Sequence, residues 1–329
     1  MKVLVIGAAG MIGRKLLDQV AKTPEILGAP VQALTLVDVI EPTAPAALAG
    51  IATCQAVDLS TAGAAEALIS DRPDLIFNFA AVVSGEAEAD FDKGYRVNLD
   101  GGRALLEAIR AEGLTAPYRP RLIFASSVAV FGAPFPEKIG DEFFTTPLTS
   151  YGTQKAIIEL LIADYSRRGI LDGLSIRLPT ICVRPGKPNA AASGFFSNII
   201  REPLVGLPAV LPVDDSVRHW FASPRAAVGF FTHAATLDLD QVGPRRSLMM
   251  PGLSATVAEQ IAALEEVAGP EAVALIRREP DPVIQGIVAG WPCDFDPKRA
   301  VELGFTAETN FADIIRIHVE DELNGKIGG

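Results

Sequence analysis

Lys2-Val3-Leu4-Val5-Ile6-Gly7-Ala8-Ala9-Gly10-Met11-Ile12-Gly13 opens the chain, and Arg14-Lys15-Leu16-Leu17-Asp18-Gln19-Val20 follows. Lys2 to Ile6 is a short apolar run that stops at glycine, as a strand buried in a parallel sheet does. The second segment carries apolar residues at helical spacing. Gly7, Gly10 and Gly13 therefore sit at a strand-to-helix turn. Glycines there let the backbone turn tightly and approach a pyrophosphate, while the helix start offers unpaired N–H groups and the positive end of a dipole. The same pattern occurs at plain structural turns. The readable strand before it and helix after it favour a dinucleotide site that includes Met11 and Ile12.

The pattern repeats downstream. Gln32 to Val37 reads as a second strand ending at Asp38, and Ile51 to Val57 as a third, followed by Asp58-Leu59. Asp38 is placed to accept hydrogen bonds from ribose hydroxyls and to repel a 2′-phosphate, which favours NAD over NADP. Asp58 is placed to meet an adenine edge. Asp74 to Phe79 gives a fourth strand that ends in Asn78-Phe79-Ala80-Ala81, where small side chains leave room for a cofactor. A helix opens near Asn98. Arg121 to Ala125 is a fifth strand running into Ser126-Ser127, and Leu174 to Pro179 a sixth that includes Leu178. Strands alternating with helices predict an α/β, Rossmann-type doubly wound parallel sheet. In such sheets ligands lie outside the carboxyl ends of the strands, where these candidates fall.

Tyr151 and Lys155 stand four residues apart in Ser150-Tyr151-Gly152-Thr153-Gln154-Lys155 and share one helix face. A phenol titrates near ~10 by itself. A neighbouring ammonium favours the phenolate and makes the pair able to take a proton from an alcohol. The spacing alone is common on amphipathic helices, and the surrounding pattern gives it weight.

The chain has 329 residues, of which 49% are hydrophobic, enough for a sizeable core and a second lobe. The formal net charge of −11 argues against nucleic-acid and anionic-membrane partners. Cys54, Cys182 and Cys293 are far apart, in no metal spacing and odd in number, so buried thiols in a reducing compartment are expected. His219, His233 and His318 fit no metal spacing. The N-terminal apolar run is too short for a signal peptide, and no run suffices to span a bilayer. A cytoplasmic protein is expected. The predicted division is 1–178 for dinucleotide binding and 179–329 for the substrate, with a stretch near 217–250 returning to the first domain. Thr180 to Gly194 reads as a substrate-side loop, and Ser254 to Ala268 as a helix. Arg184 and Arg218 are candidates to hold a carboxylate or phosphate, although a surface ion pair is equally consistent with each.

The motifs occur in the order and spacing of the extended short-chain dehydrogenases/reductases, which the chain resembles over essentially its whole length. The matching residues are Gly7/Gly10/Gly13, Asp38, Asp58-Leu59, Asn78-Phe79-Ala80-Ala81, Asn98, Ser126-Ser127, Val130-Phe131-Gly132 and Tyr151-x3-Lys155. Many members carry Tyr-Gly where this chain has Phe131-Gly132. The resemblance implies Tyr151 as general base, Lys155 lowering its pKa and holding the nicotinamide ribose, and Ser127 orienting the substrate oxygen. It also implies a homodimer formed through the helices near Asn98 and Tyr151. Arg184 to Phe196, Ile199 to Leu204 and Arg218-His219-Trp220 are most similar to the D-erythronate dehydrogenases within that family. The implied reaction is NAD-dependent oxidation of a small 2-hydroxy sugar acid. Sugar-nucleotide epimerisation or dehydration, and a non-catalytic NAD-binding protein, are the alternatives.

Overall fold

The computed structural model describes residues 1–23, 25–26, 29–186 and 192–328. It divides into two compact units. The first comprises Met1–Val130, Pro147–Leu178 and Val228–Met249; the second comprises Phe131–Thr146, Pro179–Ala227 and Met250–Gly329. The chain leaves the first unit after Leu178. It returns over Val228–Met249, and an earlier excursion, the Pro- and Gly-containing segment Phe131–Thr146, also belongs to the second unit.

Seven parallel strands form the centre of the first unit: β1 (Lys2–Ile6), β2 (Ala33–Asp38), β3 (Ala52–Ala56), β4 (Leu75–Asn78), β5 (Arg121–Ser127), β6 (Asp172–Leu178) and β7 (Ser247–Met249). Their order is β7-β6-β5-β4-β1-β2-β3. The expected doubly wound sheet is present, and β1 pairs with β2 on one side and β4 on the other. The winding reverses between β1 and β4, so a crevice opens at their carboxyl ends. β7 pairs with β6 through Ser247↔Ser175. It was not legible in the sequence, because three residues carry no period.

Three helices position the site: α1 (Met11–Lys22), α2 (Gly101–Thr115) and α3 (Ser150–Arg167). α1 buries Leu16, Leu17 and Val20 on one stripe. Leu105, Leu106 and Ile109 of α2 and Ile158 and Ile162 of α3 join Leu4, Ile76, Leu122 and Phe124 of the sheet in one core. Each such side chain contributes about 1.5–3 kcal/mol on burial. α3 is capped by the Thr149 hydroxyl, which accepts from the Gly152 amide at 3.1 Å. Before α2 the chain makes a π-helical turn over Tyr95–Asp100.

The second unit has its own three-stranded sheet of Thr180–Ile181, Arg218–Ala222 and Leu253–Thr256. Helices Gly194–Leu204, Val257–Ala268 and Phe311–Leu323 cover a core containing Phe196, Phe221, Leu264 and Ile315. The expected helix from Ser254 starts later. Leu253–Thr256 pairs antiparallel with Arg218–Phe221, and the helix begins at Val257 behind a Thr256/Glu259 capping box. The cap holds Thr256 in extended backbone, so the strand ends where the helix can begin. Residues 187–191 of the expected substrate loop lie outside the described residues, and Thr180–Ile181 is strand. Among the described residues no helix is long and apolar enough to cross a membrane.

Candidate active site

The turn between β1 and α1 is shaped for close approach. Gly7 has φ +86°, and a Cβ there would lie 2.7 Å from the Ala80 backbone nitrogen. Only glycine tolerates both conditions. Gly10 is the N-cap of α1 and gives no side-chain cap, so the first-turn amides of Met11, Ile12 and Gly13 are not capped by a side chain. Asp38 ends β2. Its carboxylate accepts from the Ala9 amide at 3.0 Å and the Val39 amide at 2.7 Å. A carboxylate has about four lone-pair sites, which leaves acceptor capacity for a diol.

A cleft at the strand ends is lined by Asp38, Asp58, Leu59, Asn78, Ala80 and Asn98. All but Asn78 were candidate cofactor residues. Asp58 accepts from the Ser60 amide and hydroxyl, at 2.9 and 2.5 Å, and from Arg96 at 3.0 Å. These contacts, led by the Ser60 hydroxyl, hold its carboxyl below the ordinary range. Asn98 is buried. It accepts from the Val82 amide at 2.8 Å and donates to the Val82 carbonyl and to Gln154 Oε1, at 3.0 and 2.7 Å. It thus ties the loop after β4 to α3 while facing the cleft. Asn78 Oδ1 is buried without a partner among the described residues. A buried orphan acceptor is costly unless a ligand or water satisfies it. The glycine cradle, the acid at the end of β2 and this orphan oxygen together fit an adenine dinucleotide. Ala81 follows Ala80 on the same loop, and Leu178 closes β6.

At the other end of the crevice β5 meets α3. A Cβ on Gly152 would collide with the Ala129 carbonyl, so glycine lets α3 press against the segment after Ser127. Ser127 Oγ accepts from the Ala129 amide at 3.1 Å, which leaves its hydroxyl proton to donate. Lys155 is 2% exposed, and its Nζ donates to the Ala125 carbonyl at 2.7 Å. That nitrogen stands 4.5 Å from the Phe124 ring centroid and 5.5 Å from that of Tyr151. An ammonium has three donors, of which Ala125 takes one. Burial pushes Lys155 down to about 7, and the Glu159 carboxylate opposes the fall. Tyr151 and Lys155 thus lie together on α3, which packs on β5, the strand that ends in Ser127.

Sequence reasoning missed what lies beneath this group. Glu159 is 3% exposed, takes a hydrogen bond from Ser126 Oγ at 2.5 Å and is gripped by Arg177 through Nε at 3.0 Å and Nη2 at 2.7 Å. Ser126 and Arg177 are register partners on β5 and β6. The available signals were a glutamate four residues beyond Lys155 and an arginine inside an apolar strand.

The two candidate anion binders, both in the second unit, differ. Arg218 has a side chain 40% exposed, pairs with Glu259 at 3.3 Å and donates to the Ser254 carbonyl at 3.1 Å. Arg184 is half-buried and donates to the Ile181 carbonyl and to Ser193 Oγ, each at 3.0 Å. Near it His219 Nε2 meets Thr180 Oγ1 at 2.6 Å, with the imidazole stacked on Phe196 at 5.2 Å. Burial, with Arg184 adding to it, holds His219 down at about 3, and a hydrogen bond to the Pro292 backbone opposes this. Proline has no N–H, so the imidazole donates there and the Thr180 hydroxyl donates to Nε2.

A model of the NAD dependent epimerase/dehydratase family matches residues 3–223. The chain belongs to that family. Within it, the chain is 45% identical over 326 residues to a D-erythronate dehydrogenase of Cupriavidus necator, covering 98% of each protein. It is 40% identical to a D-erythronate dehydrogenase of Haemophilus influenzae, covering 98% of this chain and all of that protein. A solved structure described as a nucleoside-diphosphate-sugar epimerase from Agrobacterium tumefaciens is 63% identical, with a TM-score of 0.97, over 99% of this chain and 95% of that one. The family and the two full-length D-erythronate dehydrogenases together make the protein an NAD-dependent dehydrogenase, in accord with the cradle and the Tyr151–Lys155 helix.

Proposed function

We propose that the protein oxidises D-erythronate to 2-oxo-D-erythronate with NAD, using Tyr151 as general base. The observation that carries the chemistry is the ammonium of Lys155 lodged behind the Tyr151 ring at 5.5 Å. A positive charge there favours the phenolate. Tyr151 takes the C2 hydroxyl proton, and Ser127 donates to the same oxygen and fixes its position. Lys155 has donors left for the nicotinamide ribose. NAD, when bound, supplies the hydride acceptor at nicotinamide C4. Arg184 or Arg218 is assigned to the substrate carboxylate, a group that a guanidinium fork suits. Full-length relatives named D-erythronate dehydrogenase support the substrate.

A homodimer through α2 and α3 is part of this reading. Phe91, 57% exposed, and Leu160 on α3, 67% exposed, are large apolar groups left at the surface of the first unit. The reading also places the enzyme in the cytoplasm.

A second reading is favoured by the likeness to the 63% identical epimerase structure: sugar-nucleotide epimerisation, in which the cofactor is restored each turnover. The experiment is steady-state assay of purified protein with NAD and either D-erythronate or UDP-sugars. Net NADH from D-erythronate is expected. Turnover of a UDP-sugar with no NADH from D-erythronate overturns the proposal. Tyr151→Phe should lose several orders of magnitude in rate with NAD affinity nearly unchanged. An unchanged rate would remove the role assigned to Tyr151.

A further inference from the structure

Glu159 sits one turn beyond Lys155 on α3, where opposite charges ordinarily meet. Among the described residues they form no ion pair. Lys155 donates instead to the Ala125 carbonyl, and the Glu159 oxygens are taken by Arg177 and Ser126. The fork of Arg177 spans both carboxylate oxygens, Nε reaching Oε1 and Nη2 reaching Oε2, the geometry in which such a pair is strongest. Arg177 and Glu159 have side chains only 13% and 3% exposed, so water screens their charges little.

We propose that Arg177 is a positioning residue that holds Glu159 off Lys155, so that the lysine's charge acts on Tyr151. This rests on the reading of Tyr151 as the base. Without the guanidinium, Glu159 would be a buried carboxylate whose remaining cationic neighbour is Lys155. Capture of the ammonium would draw it from the Ala125 carbonyl and cancel part of its field at the phenol. The other charged groups on elements packed against α3 are engaged elsewhere. Glu88 takes the Ser150 amide, Glu107 binds Tyr165 and Arg110, Glu112 binds Arg72, Arg96 binds Asp58, Lys93 binds Glu86 and Arg121 binds Asp172. Asp92, Asp100 and Arg103 are exposed to solvent.

The test uses full-length Arg177→Met, Glu159→Gln and the double variant. Two quantities are read against pH: kcat/KM for the alcohol substrate, and tyrosinate absorbance of the cofactor-free protein with Tyr151→Phe as the blank. In Arg177→Met the acid limb and the Tyr151 titration are expected to rise by about one pH unit, with rate below the limb down about tenfold. In the double variant both should return to within a few tenths of a unit of wild type, whatever its thermal stability. Glu159→Gln should move both downward, because the guanidinium loses the carboxylate that it grips. A purely structural ion pair predicts lost stability in each single variant and no movement of either titration. The proposal is overturned if Arg177→Met titrates as wild type or the double variant stays shifted. Should Arg177→Met fail to fold, an unmoved or upward titration in Glu159→Gln overturns it. Failure of wild type to oxidise D-erythronate would count against the substrate alone, since the tyrosine titration needs none. Full activity in Tyr151→Phe would count against the base.

Discussion

Replacing Lys155 by methionine should make the cofactor-free protein more stable as it destroys catalysis. The ammonium is buried at 2% exposure and pushed down from 10.5 to about 7 by desolvation. At ~1.4 kcal/mol per unit, that displacement sets an upper limit near ~5 kcal/mol on what the native state loses by holding the charge. Methionine has similar length but gives up the bond to the Ala125 carbonyl, which as a charged hydrogen bond is worth about 1.5–3 kcal/mol. A net gain of about 2–3 kcal/mol remains. Its pH dependence follows from the depressed value. Below about pH 7 lysine is charged in both folded and unfolded chains, and the native state bears the full penalty. Between there and 10.5 only the unfolded chain holds the proton, so wild-type stability rises with pH and the variant's advantage shrinks. Urea unfolding of both proteins at about pH 6 and about pH 9.5 measures this. A variant less stable than wild type at the lower pH, or an advantage that does not narrow upward, would refute the reasoning.

Three further outcomes are expected. Asp38→Ser should shift preference toward NADP by about 10- to 100-fold, because one charge no longer faces the 2′-phosphate; kcat/KM ratios for the two cofactors read it. Gly152→Ala should cost about 1–3 kcal/mol in denaturant unfolding through collision with the Ala129 carbonyl, although helix propensity alone predicts a gain near ~1 kcal/mol. His219 is depressed from 6.5 to about 3, so the unfolded chain binds its proton first on acidification. Its stability contribution is complete above pH 6.5 and is lost toward pH 3, and His219→Leu should flatten that part of the acid-unfolding curve.

The first unit was legible because its information is local. Buried parallel strands read as apolar runs, and the Gly7–Gly13 turn and Asp38 stand directly at strand ends. Tyr151 and Lys155 are neighbours on one helix, so their proximity needed no tertiary knowledge. The partners that set their environment are remote in sequence. Arg177 reaches Glu159 from a strand that begins only after the helix has ended, and Thr180 meets His219 across 39 positions. A lone sequence gives no means of choosing such pairs. Arg184 and Arg218 looked alike for the same reason; only burial and the Glu259 partner separate them. Sequence alone starts that helix at Ser254 rather than Val257, because the strand residues Leu253–Thr256 carry no signal of their own until the neighbouring strand is seen.

The widened turn at Tyr95–Asp100 holds a surplus residue relative to an ordinary α-helix. Excising one residue there would let the segment rewind to regular pitch, swinging Asn98 by about 100° around the axis. The amide would lose Val82 and Gln154 together, and a one-residue cut at the rim of the cofactor cleft would unfasten the loop behind β4 from the catalytic helix.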